Sequence, residues 1–336
     1  MRSPFLRAVC VLFLLAGSVQ PAAAQLEGAF TLRSVDNDDR LSLNLVYDGH
    51  SSYGRTVARS ALTDVLRTGD RITFTLRREP GTFTFDGRGS LDRAAGSYVF
   101  APNQGFAADL AKLGFRGIEA KALFVFALDD LTVAKVRQMQ EMVSNALDTE
   151  ALVQLINHGA GVTYIQAMTD LGFRKLPSDD YRRARDHGVS ESFVREMAGL
   201  GMKLSLHDLI RSRDHGVTPE YVRAMRSAGL QATPEDLVRA RDHGVGAEFL
   251  RQMRDLGYDK LSLDEYVRLR DHGVSAEYVQ TLRDLGYAKL TTNELVRLRD
   301  HGVTASYVRR VKDLLKEAPS VEELIQMRSQ GAFGSR

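Results

Sequence analysis

Cysteine is almost missing from this chain: its 336 residues hold one, Cys10. It falls inside an N-terminal apolar run, and the residues before it, Arg7-Ala8-Val9, match a lipoprotein acylation site poorly. Once that segment is removed no thiol remains. That excludes disulfides and cysteine-based zinc, iron–sulfur or thiolate chemistry, and it suits an oxidising compartment such as a periplasm. A surplus of one charge is missing too. The chain carries 45 Lys and Arg against 43 Asp and Glu, and without Arg2 and Arg7 the signs balance at 43 each. No basic excess argues for a nucleic-acid partner. Also missing are the signatures H-E-x-x-H, G-x-S-x-G, G-x-G-x-x-G and the Walker pattern, so no nucleophile, base and orienting group can be recognised together. We therefore expect neither an enzyme nor a cofactor.

Long apolar stretches are lacking as well. The run from Ala8 to Ala16 covers about half of the roughly 20 residues that a spanning helix needs. Arg2 and Arg7 precede it, and Ala22-Ala23-Ala24 follows, the small-residue pattern a signal peptidase accepts. Residues 1–24 thus read as a cleaved export signal, with the mature chain starting near Gln25 in the periplasm or outside the cell.

What is there is periodicity. From Leu26 to about Gln104 apolar residues alternate, as in Leu41, Leu43 and Leu45, in Ile72, Phe74 and Leu76, in Phe83 and Phe85, and in Tyr98 and Phe100. This is the period of half-buried strands. Glu79-Pro80-Gly81 and Asp92-Arg93-Ala94-Ala95-Gly96 mark turns between them. Residues 25–104 are therefore expected to form about six antiparallel strands in a small sandwich or open barrel. A lipocalin-like cavity is one outcome of such a fold; a core packed by Phe30, Phe74, Phe83, Phe85 and Phe100 is the other, and it is favoured.

Residues 105–148 form a helical junction. Phe106, Leu110 and Leu113, with Gly114 behind them, spell a short helix and its glycine stop. The run Ala122–Leu128 fits a buried strand or a helix, and Val133, Val136 and Met139 resume a helical pattern.

From residue 149 to 336 the chain repeats itself. Arg270-Asp271-His272-Gly273-Val274 recurs at 185–189, 213–217, 241–245 and 299–303, so the histidines stand 28 or 29 residues apart. A fixed period of this size indicates stacked supersecondary units. In the unit at 261–287, Ser262 and Glu265 have capping-box spacing, as have Thr291 and Glu294. A first helix bearing Leu263, Tyr266, Val267 and Leu269 stops at Gly273. Ser275 caps a second, whose Tyr278, Val279, Leu282 and Leu285 share a face before Gly286. Pro219 and Pro234 take first helical positions in other units. Such short helices need their neighbours, so the expectation is a helix-turn-helix array of five full units, with a degenerate one at His158 and a closing half-unit from Ser320 to Gly331. There Leu315 stands where the other units have glycine, and Gln330 where they have histidine. The fold class expected is α+β, a small β domain followed by an α-helical repeat array.

Two phased series invite functional readings. The first contains Asp186, His187 and Gly188, then Asp214, His215 and Gly216, Asp242, His243 and Gly244, Asp271, His272 and Gly273, and Asp300, His301 and Gly302. Units spaced about 10 Å apart keep their histidines too far apart to share an ion, so no metal is expected. The histidines read instead as last-turn residues bonding free helix carbonyls. The second series is arginine. Arg185, Arg213, Arg241, Arg270 and Arg299 precede the aspartates, and Arg183, Arg211, Arg239, Arg268 and Arg297 lie two residues earlier. They form either a stripe for an acidic partner or an inter-unit ladder pairing with Asp186 and its equivalents, and the ladder is preferred. His50 and His207 are isolated.

The combination resembles a known arrangement. Ile72-Thr73-Phe74-Thr75-Leu76-Arg77-Arg78-Glu79-Pro80-Gly81-Thr82-Phe83, Ala95-Gly96-Ser97-Tyr98-Val99-Phe100-Ala101-Pro102-Asn103 and Leu113-Gly114-Phe115, followed by His-Gly-Val repeats, resemble the extracytoplasmic C-terminal extensions of some bacterial membrane metallopeptidases of the antibiotic-sensor type. The resemblance covers about residues 30–330. This chain lacks the membrane helices and the H-E-x-x-H motif of those proteins, so no peptidase activity carries over, and what is implied is a stand-alone extension module. The function expected is that of an exported, non-enzymatic interaction protein binding a protein or envelope component through its array. The alternative is a small-ligand or metal-binding sensor module.

Overall fold

In a computed structural model the chain is described at residues 25–35 and 39–332. The expected export signal and Cys10 lie outside the described residues. Two compact units can be distinguished, one comprising the chain up to Ile165 with Lys175–Asp179, the other Gln166–Arg174 with Asp180–Arg336. The β domain and the helical junction thus belong to one compact unit, together with the degenerate repeat at His158.

Seven strands build the first unit: β1 (Leu26–Val35), β2 (Arg40–Tyr47), β3 (Ser51–Ala58), β4 (Leu62–Thr68), β5 (Arg71–Arg78), β6 (Gly81–Ser90) and β7 (Arg93–Pro102). They form a single antiparallel sheet in the order β3-β2-β1-β7-β6-β5-β4, with β3 and β4 as unpaired edges. The alternating residues turn one face inward, where Phe74 stacks on Phe85 at 4.6 Å and Phe30 meets Phe85 edge-on at 5.0 Å. Among the described residues no second sheet covers that face, so of the two expectations the open barrel holds, as a single unclosed sheet, and the sandwich does not. A helix takes the place of the second sheet.

That helix is α2 (Ala120–Leu128), which follows α1 (Gln104–Lys112) and precedes α3 (Val133–Met142) and α4 (Thr149–Asn157). All seven residues from Ala122 to Leu128 are buried, as expected of a helix that is apolar all round. The ambiguity between strand and helix is resolved by hydrogen bonding. Laid across the face of a sheet, a strand would leave its backbone groups unpaired, whereas a helix satisfies its own. Phe124 enters the concavity, with ring centroids 5.2 to 6.0 Å from Phe83, Tyr53, Phe100, Tyr98 and Tyr47. It occupies the place of a lipocalin-like ligand. Beyond its C-terminus Asp129 takes both nitrogens of a bidentate contact from Arg55 on β3, each at 2.9 Å, and Asp130 lies 3.2 Å from Arg78 on β5.

The second unit is built of paired helices. After α5 (Val162–Asp170), the first helices of the units are α6 (Ser178–Asp186), α8 (Leu206–Asp214), α10 (Pro234–Asp242), α12 (Leu263–Asp271), α14 (Thr292–Asp300) and α16 (Val321–Ser329). The second helices are α7 (Glu191–Gly199), α9 (Pro219–Ser227), α11 (Ala247–Asp255), α13 (Ala276–Asp284) and α15 (Ala305–Leu315). First helices pack on first helices and second on second, giving two layers. Buried Leu209, Leu237, Leu269, Leu298, Met225, Met253 and Leu282 lie between them.

Capping boxes open α8, α10, α12, α14 and α16. At the other end of α12 the Gly273 amide donates to the Arg270 carbonyl at 3.0 Å and the Val274 amide to Leu269 at 2.8 Å, with Gly273 at φ +69°. This is a Schellman stop, and its valine is buried in every unit.

The boxes make the array acid-sensitive. Bonds from the Thr291 amide and hydroxyl hold the Glu294 carboxyl below its ordinary value, and Ser320 does the same for Glu323. A depressed folded-state pKa contributes stability that is present above the unfolded value, 4.5 for glutamate, and lost as pH falls through the folded one. Thr291→Ala is therefore expected to lower the unfolding midpoint at neutral pH, with the difference from wild type narrowing as pH falls below the ordinary glutamate value of 4.5. Thermal melts across that range check it, and a difference independent of pH would refute the carboxylate's part.

Candidate functional site

The repeated pentapeptide is where one unit reads the next. Its histidine closes a first helix, and its imidazole Nδ1 meets the aspartate of the following unit: His187 to Asp214 at 2.6 Å, His215 to Asp242 at 2.7 Å, His243 to Asp271 at 2.7 Å and His272 to Asp300 at 2.6 Å. An ionised carboxylate only accepts, so Nδ1 carries the hydrogen in each pair. The Schellman amides already take the helix-end carbonyls, which is why the imidazoles do not bond them as the sequence suggested.

Asp214, Asp242, Asp271 and Asp300 are thus partners of the preceding unit's histidines, where pairing with the arginines of the motif was expected. Adjacent residues on a helix point about 100° apart, and these arginines lean on the rings of the preceding unit while the aspartates reach its histidine. Each guanidinium lies over an aromatic ring of the preceding unit: Arg213 over Phe193 at 5.1 Å, Arg241 over Tyr221 at 5.2 Å, Arg270 over Phe249 at 5.1 Å, Arg299 over Tyr278 at 4.9 Å and Arg328 over Tyr307 at 5.1 Å. The preceding unit's glycine makes room. A Cβ built on Gly188, Gly244 or Gly273 would stand 3.1 to 3.3 Å from the guanidinium of Arg213, Arg270 or Arg299. Arginine, aspartate, histidine and glycine are thus four parts of one inter-unit lock. Arg185 and Asp186 stand at the start of the series, where Asp186 accepts from Arg182 at 2.8 Å.

The outer arginines lie on the first-helix layer and reach the first turn of the next first helix. Arg211 contacts Glu235 at 3.1 Å, Arg239 contacts Asp264 at 2.7 Å and Arg297 contacts Glu322 at 2.6 Å, while Arg268 finds the neutral Asn293 at 3.1 Å. Arg183 lies 3.8 Å from Asp180 within its own helix. Four of the five thus bridge units, through partners exposed enough that each pair contributes at most about 1 kcal/mol.

Sequence reasoning missed the rings. Phe193, Tyr221, Phe249, Tyr278 and Tyr307 recur at the same period as the histidines, a signal visible in the sequence, of which only Tyr278 enters the apolar face expected above. Where the ring is tyrosine, its hydroxyl donates to a carbonyl of the next unit: Tyr221 to Val245 at 2.9 Å, Tyr278 to Val303 at 2.7 Å and Tyr307 to Ala332 at 3.1 Å. Burial pushes the Tyr221 and Tyr278 phenols up to about 12. The stability they confer is then fully present below the ordinary phenol value of 10.0 and is lost as pH rises through about 12. Phe249→Tyr would supply the missing bond to the Val274 carbonyl and is expected to stabilise the array by about 1 kcal/mol. Denaturant midpoints check this, and a destabilised variant would show that the ring sits differently from its tyrosine counterparts.

Among the described residues no three His, Cys, Asp or Glu side chains gather as metal ligands. His50 stays in the β2–β3 turn bonded to Asp48, and His207 lies 3.8 Å from Asp208. The first unit has a cleft of about 500 Å³, floored by Tyr53, Ala122, Val125 and Val153 and rimmed by charged residues that include Arg116 and Lys121. No helix of the described residues is long and apolar enough to cross a membrane. Comparison with protein-family models, curated proteins and solved structures gives no match to this chain.

Proposed function

We propose that this chain is an exported, non-enzymatic interaction protein whose helical repeat array binds a protein or another cell-envelope component. The observation that carries the reading is the engagement of the repeated residues with one another. The histidines, aspartates, arginines and glycines that could have signalled chemistry hold neighbouring units in register, and what remains free to differ from unit to unit is the outer faces of the two layers. Extended faces of this kind are what repeat arrays present to partners. On the resemblance to metallopeptidase extensions, the chain acts as such an extension module.

A second reading, a sensor for a small ligand, draws on the cleft over Val125 and Val153, whose apolar floor and charged rim have the make-up of small-molecule sites.

Capture from cell-envelope extract by the chain beginning at Gln25 tests the first reading. A retained partner is expected, and the double variant Arg239→Ala/Arg268→Ala should keep both its capture and, to within about 2 kcal/mol, its stability, because these cations make exposed contacts to the next unit. No retained component even at low salt would sink the interaction reading. Salt-sensitive loss of capture at unchanged stability would instead make the arginines a binding stripe.

A further inference from the structure

Along the second layer each helix packs beside the next, and at three of these interfaces the later helix sends a cation onto the C-terminal end of the earlier one: Arg226 donates to the Leu200 carbonyl at 2.7 Å, Arg254 to Ala228 at 2.5 Å and Lys312 to Leu285. These contacts answer the free carbonyls and the negative end of each helix. They also cover the flank. Ala228 is 3% exposed, and between α11 and α13 the residues Gln252, Asp255 and Leu256 face Ala276, Glu277 and Gln280 across a shallow groove.

At α15 this layer of packed second helices ends. Leu314, in phase with Leu256 and Leu285, is 59% exposed, and Leu315, where other units have Gly201, Gly229, Gly257 or Gly286, is 40% exposed. Neither leucine is needed to end the helix, since Lys316 does so in the left-handed conformation, at φ +62°. The first layer ends in another way. α16 packs on α14 and presents Glu322, Glu323, Gln326, Ser329 and Gln330 to solvent. A terminal repeat stays soluble by turning a polar face outward; α16 does so, and α15 places two adjacent leucines there.

We propose that the outer flank of α15 docks an amphipathic helix of a partner protein, one that carries lysine or arginine in its last turn, in the position a further second-layer helix would take. The occupant follows from continuity with the interface already repeated along the layer. A helix there buries Leu314 and Leu315, and its cation meets the Leu314 carbonyl as Lys312 meets Leu285. The proposal rests on the interaction reading above and names its surface and the class of its partner.

The test uses a labelled peptide of residues 304–317, stapled on its solvent side to hold it helical, because that segment carries the docking flank and Lys312. Fluorescence anisotropy against the chain from Gln25 is expected to give saturable binding, weakened about tenfold or more by Leu314→Asp in the chain and by Lys312→Glu in the peptide. Leu314 is exposed, so the unfolding midpoint of Leu314→Asp should stay at the wild-type value and separate docking from folding. Absence of saturable binding, or equal binding to Leu314→Asp, overturns the proposal. So does sedimentation showing a dimer that Leu314→Asp dissociates, since the occupant is then a second copy. If the peptide fails while an envelope partner is still captured, this surface is wrong and the interaction reading stands.

Discussion

Replacing Phe124 by alanine is expected to destabilise the sheet unit by about 3–5 kcal/mol, the cost of truncating a fully buried aromatic. Phe124 is 1% exposed and touches five rings. It comes from the helix that replaces a second sheet, so there is no facing layer to collapse into the void. Tyr98 raises the stakes. Its hydroxyl is buried without a hydrogen-bond partner, and burial, with Tyr47 and Tyr53 nearby, pushes its phenol up to about 12. A cavity at Phe124 would give water a route to that hydroxyl. Phe124→Leu, which keeps most of the volume, should cost much less than alanine. Denaturant unfolding followed by tyrosine fluorescence measures both. An alanine variant within about 1 kcal/mol of wild type would mean that α2 does not form the core of this unit.

The strands that the sequence announces are those whose inner residues are consistently apolar, namely β2, β5, β6 and β7. The edges are hard to read for a physical reason. In β3 only Val57 is buried and the other inner positions include the polar Ser51 and Arg55, and in β4 every residue after Leu62 is exposed, so neither has a hydrophobic period to detect. Hydrophobic alternation records burial, and edge strands that reach past the core have little to record. The run Ala122–Leu128 is opaque for the opposite reason, since uniform burial removes the period altogether.

In the array, phase was legible and partnership was not. Arg270 and Asp271 look like an ion pair because they are adjacent, yet adjacency on a helix separates side chains, and the true partners, Phe249 and His243, lie a unit away. The direction of each contact depends on how units stack, which a single unit's residues do not encode. The aromatic series could have supplied the clue, since no core requirement alone explains a large ring at the same turn of every second helix, one residue ahead of a buried valine or leucine.

The array offers a test of the lock that separates backbone strain from lost contact. Gly273→Ala should cost about 2–3 kcal/mol, from two sources. Its φ of +69° is a conformation that costs an alanine roughly 1–2 kcal/mol. Its new Cβ would then stand 3.1 Å from the Arg299 guanidinium, which packs over Tyr278 with its Nε buried and unbonded, and shifting that group forfeits a cation–π contact of about 1 kcal/mol. Gly257→Ala is the control. Gly257 also has positive φ, at +90°, but its Cβ would meet nothing within 4 Å, so only the strain should appear. The excess of the first variant over the second measures the lock, and it should vanish when both glycines are compared in an Arg299→Ala background, where no guanidinium remains to be displaced. Equal costs for the two glycines in the wild-type background would mean that Gly273 is a helix stop and nothing more, and that the units are held in register by their other contacts.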